Sequence, residues 1–357
     1  MTKKALIAMS GGVDSSVAAY LMKQRGFDCV GITMKLFDNA DINLPNSKTC
    51  CSLDDVADAR AVAFKLDMPF YVADFTVDFR EQVIDRFIGE YKRGATPNPC
   101  IDCNRYMKFE KLYFRAKQLD ADYIVSGHYA RVEQDEASGR FLLKKAVDES
   151  KDQSYVLYSM TQEQLKHTLL PLGELQKSEV RELADECRFI NADKPDSQDI
   201  CFVPDGDYAK FIEEHSGKTF APGNFVDLQG NILGQHKGLI RYTIGQRKGL
   251  GIAFPQPMYV RALNVAENTI TLCADSELFT KSLTATDFNW ISIDPPSSKI
   301  RVSAKIRYKH AEQPATATVD GDLVRIEFDE PQRAITPGQA VVLYDNDIVI
   351  GGGVISN

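Results

Sequence analysis

The sequence predicts an α/β chain in three parts. A parallel sheet wrapped by helices occupies residues 1–204, a small β-rich segment 205–282, and a β-barrel 283–357. Three observations carry this reading. Apolar stretches of strand length alternate with amphipathic helical stretches through the first ~130 residues, the β-α-β-α order of a sheet covered on both faces. A glycine pair falls at the turn from the first strand into the first helix. After about residue 205, Gly and Pro turns punctuate short β-branched and aromatic segments, closely spaced from about 283 as in a small barrel.

In order, strands are expected at 5–9, 29–34, 70–74 and 123–126, and helices at 17–24, 54–66, 77–93 and 108–119. Helical patterns continue at 162–169 and 178–187, and 194–204 (KPDSQDICFVP) reads as an irregular loop. The β-rich half offers strands at 223–228, 258–264, 269–273, 302–308, 315–319, 323–328 and 340–344. Along 301–309 the alternation places Arg301, Lys305, Arg307 and Lys309 on one face. Val302, Ala304, Ile306 and Tyr308 fall on the other. Parallel sheets bind ligands at the C-terminal ends of their strands. The turn after the first strand is at such an end, and so is Ser126-Gly127-His128-Tyr129.

Composition narrows the function classes. Hydrophobic content of 44% with 26% charged residues is that of an ordinary globular protein. No apolar run approaches the ~18 residues of a membrane span, and the first strand begins too early for a signal peptide. Eight cysteines in 357 residues are too dilute for a secreted disulfide scaffold, so a reducing, cytoplasmic setting is expected. The net charge of −8 gives no support to nucleic-acid binding, but charge is unevenly spread. Residues 228–266 contain no acid and include Lys237, Arg241, Arg247, Lys248 and Arg261, while Lys92, Arg93, Arg105, Lys108 and Lys111 bracket a cysteine pair. Together with the 301–309 face these offer local phosphate contacts.

The glycine turn, Ser10-Gly11-Gly12-Val13-Asp14-Ser15-Ser16, is the most specific chemical feature. Glycines let backbone N–H groups approach phosphate oxygens, and the helix that starts there adds unpaired N–H groups and its positive dipole end. Serine hydroxyls add donors, and Asp14 is placed to hold Mg²⁺ or orient the turn. No lysine follows the glycines and the spacing is not G-x-G-x-x-G, so two commoner phosphate loops are excluded. The turn resembles the PP-loop of ATP pyrophosphatases, which cleave ATP between the α- and β-phosphates and activate a substrate oxygen with AMP.

The cysteines divide by setting. Cys29, Cys187 and Cys273 lie in apolar patterns and read as small core residues, and Cys50-Cys51 is ambiguous. Cys100 and Cys103 sit in a Pro-rich stretch (TPNPCIDCNR) read as a loop, flanked by cations that favour thiolate. Cys201 lies in a second polar loop beside Asp199. Three readings stay open for Cys100, Cys103 and Cys201: incidental loop residues, ligands of a metal or iron–sulfur cluster, and sulfur transfer through a persulfide. No second C-x-x-C or H-x₃-H accompanies the pair, so a closed zinc site is not expected.

The glycine turn is followed in order by Asn98-Pro-Cys-Ile-Asp-Cys-Asn104, Ser126-Gly-His-Tyr129, Lys151-Asp-Gln-Ser-Tyr155, Asp196-Ser-Gln-Asp-Ile-Cys201, His236-Lys-Gly238, Tyr242-Thr-Ile-Gly-Gln-Arg247 and Thr336-Pro-Gly-Gln339. From Ala8 to Gln339 this run closely resembles the bacterial tRNA-specific 2-thiouridylase family. The resemblance implies a PP-loop (adenine nucleotide alpha-hydrolase-like) domain and ATP-dependent 2-thiolation of the wobble uridine in tRNAs for Lys, Glu and Gln. It implies Mg²⁺ with the ATP and a persulfide donor, either a cysteine desulfurase or a relay protein. By position it makes Cys201 the persulfide carrier and Cys103 the thiol that completes sulfur release through a transient Cys103–Cys201 disulfide. It assigns ATP to Ala8, Met9, Ser10, Gly11, Gly12, Val13, Asp14, Ser15, Met34 and Gly127. The target base falls to Asn98, Pro99 and Cys100. Contacts with tRNA fall to His128, Lys151, Asp152, Gln153, Arg307, Tyr308 and Gln339.

His128 has an alternative role as a hydrogen-bonder within the nucleotide loop. Many family members carry Asp where this chain has Cys100, which puts a second thiol beside Cys103. Two rivals to the tRNA reading remain at this level. One is a PP-loop ligase or amidase that activates a small molecule, and the other an RNA-binding protein in which nucleotide only regulates the fold.

Overall fold

The computed structural model describes residues 2–37, 53–196 and 200–356. Cys50, Cys51 and Asp199 lie outside the described residues. The chain divides into two compact units, Met1–Ile84 with Pro99–Gly206 and Asn346–Ile350, and Asp85–Asn98 with Asp207–Asp345 and Gly351–Asn357.

The first unit is built on β1 (Lys4–Ala8), α1 (Val13–Gln24), β2 (Asp28–Lys35), α2 (Leu53–Lys65) and β3 (Phe70–Asp74). The helical run after β3 is α3 (Thr76–Phe79), a π-helical stretch (Arg80–Ile84) and α4 (Asp85–Lys92), the last belonging to the second unit. Next come α5 (Pro99–Asp102), a second π stretch (Cys103–Lys111), α6 (Leu112–Gln118) and β4 (Tyr123–Val125). A hairpin of β5 (Arg131–Gln134) and β6 (Phe141–Lys144), a 3₁₀ turn (Ser154–Leu157), α7 (Gln162–Lys166), β7 (Thr168–Leu169) and α8 (Lys177–Glu186) complete it.

Among the described residues the sheet order is β3-β2-β1-β4-β7, parallel throughout. Successive side chains of β1 explain why both faces are covered. Ala5 and Ile7 pack with α1, α2 and α8 residues such as Val17, Val62 and Val180. Leu6 points the other way, onto Leu112, Tyr113 and Ala116 of α6. The strand order reverses direction at β1, so the crevice for a ligand opens between the C-terminal ends of β1 and β4.

The second unit holds α9 (Tyr208–Ser216), which ends at Gly217 in the left-handed conformation (φ 60°). A sheet of order β10-β11-β8-β9 follows, from β8 (Gly223–Val226), β9 (Ile232–His236), β10 (Tyr259–Asn264) and β11 (Thr269–Cys273). It closes over Phe225, Leu239, Tyr242, Leu250, Val260, Ile270 and Leu272. The barrel runs β12-β15-β14-β13-β16-β17 and closes by pairing β12 with β17. Its strands are β12 (Phe279–Trp290), β13 (Ile300–Lys305), β14 (Gln313–Asp320), β15 (Leu323–Arg333), β16 (Ala340–Asp345) and β17 (Ile348–Ile355). The expected class, a parallel α/β domain followed by a small β-rich domain and a barrel, is what the chain adopts. Among the described residues no helix is long and apolar enough to cross a membrane.

Three expectations need correction. The stretch carrying Cys100 and Cys103 is helical rather than a loop, because Pro99 opens α5, where a missing N–H and a fixed φ cost nothing. The helix expected at 162–169 stops at Lys166, and Thr168–Leu169 joins the sheet beside β4. The strand expected to 308 ends at Lys305. Val302, Ala304 and Ile306 are buried as read, but Tyr308 is exposed rather than on the inner face.

Candidate nucleotide and thiol site

The turn after β1 is shaped by its two glycines. Gly11 has φ +79°, and a Cβ there would meet the backbone oxygen of Asp55 at 2.3 Å, so no other residue fits without moving α2. Gly12 precedes α1 in extended conformation. Its carbonyl accepts from Ser15 Oγ (3.0 Å) and Ser16 Oγ (3.1 Å), and Ser15 Oγ in turn accepts from the Ser10 N–H at 3.2 Å. From β4, Gly127 comes so close to the same turn that a Cβ would lie 2.8 Å from the Asp14 carbonyl carbon and 2.9 Å from the Ser15 nitrogen. Thr33 of β2 donates to the Met9 carbonyl at 2.6 Å, and Met34 follows at the end of that strand. The fold therefore gathers Ala8 through Ser15, Met34 and Gly127 around one strand-end crevice.

Several residues that the sequence did not single out hold this turn. Asn191 donates through Nδ2 to the Gly11 carbonyl (2.9 Å) and to Ser16 Oγ (3.0 Å). Lys194 Nζ lies 2.5 Å from Asp55 and 2.7 Å from Asp58. Burial works against the Lys194 charge, but these two carboxylates outweigh it and raise its pKa. Asp14 Oδ1 accepts from Tyr129 OH at 2.8 Å and from Lys177 Nζ at 2.6 Å. Burial, then the Asp14 charge, drives the Tyr129 phenol far above its ordinary range. A loop with no lysine of its own thus has one beside it, from the first residue of α8. The signal in sequence was the unfilled charge requirement of a phosphate loop, but nothing local to 177 announces the pairing.

Lys177 also reaches Asp196 (2.8 Å), which pairs with Arg181 (2.9 Å) and Lys151 (2.9 Å) as well. Burial opposes ionisation of Asp196, but its hydrogen bonds and charges from Lys151 and Lys177 prevail and hold its carboxyl down to about 2. Five positions on, Cys201 is partly buried, and Phe202 behind it packs edge-on against Phe79 at 5.7 Å. Cys100 is exposed and Cys103 partly buried on the α5 helical run. Asn104 beside them is buried and donates to the Val156 carbonyl at 3.1 Å. Cys29 and Cys273 are buried as read, and burial pushes the Cys29 thiol up to about 11. Cys187 is only partly buried, against the α1 and α8 core.

The remaining sequence-derived contacts all have partners inside the protein. His128 is 6% exposed, with Nδ1 2.6 Å from Ser126 Oγ. Burial, with help from Lys108, keeps its ring neutral well below the usual histidine pKa. Asp152 accepts from the Ala146 and Ser154 N–H groups and from Ser154 Oγ, and Gln153 Oε1 accepts from the Tyr129 N–H at 3.0 Å. In the second unit Arg307 donates to the Ala334 carbonyl (2.7 Å) and Thr336 Oγ1 (2.8 Å), and Gln339 donates to the Thr96 carbonyl at 2.6 Å. Among the described residues no group of three or more His, Cys, Asp or Glu side chains is placed to hold a metal ion.

A parallel α/β domain with a glycine turn of PP-loop type at its switch point, continued by a β-rich module and a barrel, is the architecture of a multidomain enzyme of the PP-loop class. Family models match all three parts: a tRNA methyl transferase HUP domain over residues 3–205, a tRNA methyl transferase PRC-barrel domain over 209–274, and an aminomethyltransferase beta-barrel domain over 280–355. The tRNA-specific 2-thiouridylase MnmA of Clostridioides difficile is 56% identical, covering 99% of this chain and 98% of its own. That of Acetivibrio thermocellus is 51% identical over 99% of both chains, and MnmA 1 of Thermoanaerobacter sp. is 52% identical over 99% of this chain and 97% of its own. The chain belongs to the tRNA-specific 2-thiouridylase (MnmA) family. Membership at this identity over the full length does not favour the small-molecule ligase or the non-enzymatic RNA binder.

Proposed function

We propose that this protein is an ATP-dependent sulfurtransferase that converts a uridine of tRNA to 2-thiouridine. The observation that carries it is full-length identity of 56% to a tRNA-specific 2-thiouridylase, spanning both the glycine turn and the cysteine-bearing segments. The chemistry explains why both are needed. A carbonyl oxygen is a poor leaving group, so ATP transfers AMP to the uridine 2-oxygen and pyrophosphate departs. The terminal sulfur of a Cys201 persulfide then attacks C2, and AMP leaves with the oxygen. Cys103 thiolate attacks Cys201 Sγ, forming the Cys103–Cys201 disulfide and leaving the sulfur on C2.

In this reading Ala8 to Ser15, Met34 and Gly127 bind ATP, and Asp14 supplies a carboxylate for the Mg²⁺ that accompanies the triphosphate. The strand-end crevice and the helix N-terminus beside it support that assignment. Asn98, Pro99 and Cys100 meet the target base, which must leave the anticodon stack at a cost of a few kcal/mol. Lys151, Arg307, Tyr308 and Gln339 contact tRNA, whereas the burial of His128 and Asp152 and the Gln153 bond to Tyr129 favour roles in shaping the loop. The substrates are the wobble uridines of the Lys, Glu and Gln tRNAs. The sulfur comes from a cysteine desulfurase or a relay protein, and the work is done in the cytoplasm.

Thiolated nucleoside in tRNA, measured by mass spectrometry after incubation with ATP and a persulfide donor, tests the thiol roles. Cys103→Ser and Cys201→Ser are each expected to abolish thiolation. Thiolation at the wild-type rate in either variant would defeat the assigned sulfur chemistry.

A further inference from the structure

We propose that Cys100 is a resolving thiol: it displaces Cys201 from the Cys103–Cys201 disulfide and returns Cys201 to the thiol state ready for another persulfide. The inference rests on the sulfur-transfer reading above and adds a step to it.

Three observations converge on this residue. Cys100 is exposed, so it is open to exchange chemistry. It shares one helical run with Cys103, since α5 passes into the following stretch with Asp102 at φ −62° and ψ −41°. Residues three apart on a helix face the same side with Cβ atoms about 5–6 Å apart, and a disulfide brings Cβ atoms to about 3.5–4.5 Å. A bridge from Cys100 to Cys103 therefore needs the backbone of a single turn to close by about 1–2 Å, with no movement of a distant segment. Cys201 stands in contrast: it is distant in sequence, and its neighbours Phe202 and Val203 are buried. A Cys103–Cys201 bridge constrains that anchored segment, whereas the exchanged bridge constrains a single turn. The short tether also gives Cys100 a high effective concentration at Cys103 Sγ.

The step balances without any outside reagent. Cys100 thiolate attacks Cys103 Sγ, the Cys103–Cys201 bond breaks as the Cys100–Cys103 bond forms, and Cys201 leaves as thiolate. The proton lost by Cys100 is matched by the one Cys201 regains. The oxidising equivalent now sits on a pair whose outer sulfur, on the exposed Cys100, an external dithiol can attack. Because Asn98, Pro99 and Cys100 are the stretch proposed to meet the base, the exchange follows departure of the modified tRNA.

The test is peptide mapping after one turnover. Full-length enzyme is reduced, loaded with sulfane sulfur from polysulfide and freed of excess. It is then given tRNA, with or without ATP, anaerobically and without reductant. The reaction is stopped with acid and N-ethylmaleimide. The expected result is an ATP-dependent Cys100–Cys103 disulfide with Cys201 alkylated, and in Cys100→Ser a Cys103–Cys201 disulfide instead. A wild-type enzyme that keeps Cys103–Cys201 with Cys100 alkylated overturns the proposal and leaves the sulfur-transfer reading standing. A Cys100–Cys103 bridge that forms equally without ATP overturns the proposal too. Stoichiometric thiouridine with no disulfide among the three cysteines overturns both.

Discussion

At Gly11 a methyl group would lie 2.3 Å from a backbone oxygen, on a residue already at φ +79°. Gly11→Ala must therefore either push α2 aside or flatten the turn, and is expected to cost about 1–3 kcal/mol and to weaken ATP binding. Thermal denaturation and ATP titration check this, and wild-type values for both would mean the turn is not built as described. His128 makes a different prediction. Burial first, and the Lys108 charge second, hold its folded pKa well below the ordinary 6.5. The unfolded chain then takes up a proton that the native state refuses. The stability this represents is present above about pH 6.5 and declines as pH falls toward the lower folded value. Denaturant unfolding at pH 7 and pH 5 should show a smaller acid loss in His128→Gln than in wild type. His236 and His310, also shifted down chiefly by burial, keep some loss in both. Equal losses would place the His128 ring in a more open setting than its Ser126 bond suggests.

Elements differ in how plainly the sequence announces them. The strands β1, β2 and β4 were legible because each is an apolar run bounded by turns, the pattern of a sheet buried on two faces, and β3 shares the apolar run although it lies at the sheet edge with Tyr71 and Val72 exposed. The helix carrying Cys100 and Cys103 was not, because two prolines in TPNPC read as breakers, although proline in a first helical turn is a start signal. The β5–β6 hairpin carries no strand signal in sequence, since RVEQ has too little apolar character to mark a strand. In β17 the run Gly351-Gly352-Gly353 looks like a turn, yet a Cβ on Gly351 would meet the Asn289 oxygen at 2.3 Å and one on Gly353 the Thr286 oxygen at 2.7 Å. Those glycines permit close strand approach within the barrel. The thiol and phosphate motifs were visible in sequence, but their supports, Asn191, Lys177, Lys194 and Tyr129, act over separations of more than a hundred residues. β13 offers the test at this scale. Arg307 is tied into the barrel by two hydrogen bonds, so Lys305 is the cleaner probe of RNA contact. Lys305→Glu should weaken tRNA binding and lower the slope of log K against log salt by about 1. An unchanged slope would mean that strand face is merely solvated.

For the molecule as a whole, a net charge of −8 sits uneasily with an RNA substrate until the distribution is considered. Basic residues in 228–266 and along 301–309 belong to the second unit, while the glycine turn and the three loop and helix cysteines belong to the first. A third basic cluster, Arg105, Lys108 and Lys111, lies in the first unit with the cysteines, and the family models divide the chain into an N-terminal, a middle and a C-terminal part in the same order. In the proposed reaction, ATP activates the uridine carbonyl so that persulfide sulfur can replace its oxygen. The measurement that tests this most directly uses tRNA whose target uridine carries ¹⁸O at the 2-position, with mass analysis of the AMP released during thiolation. The account predicts that each AMP formed with a thiouridine carries that ¹⁸O. Unlabelled AMP alongside full conversion to 2-thiouridine would contradict it.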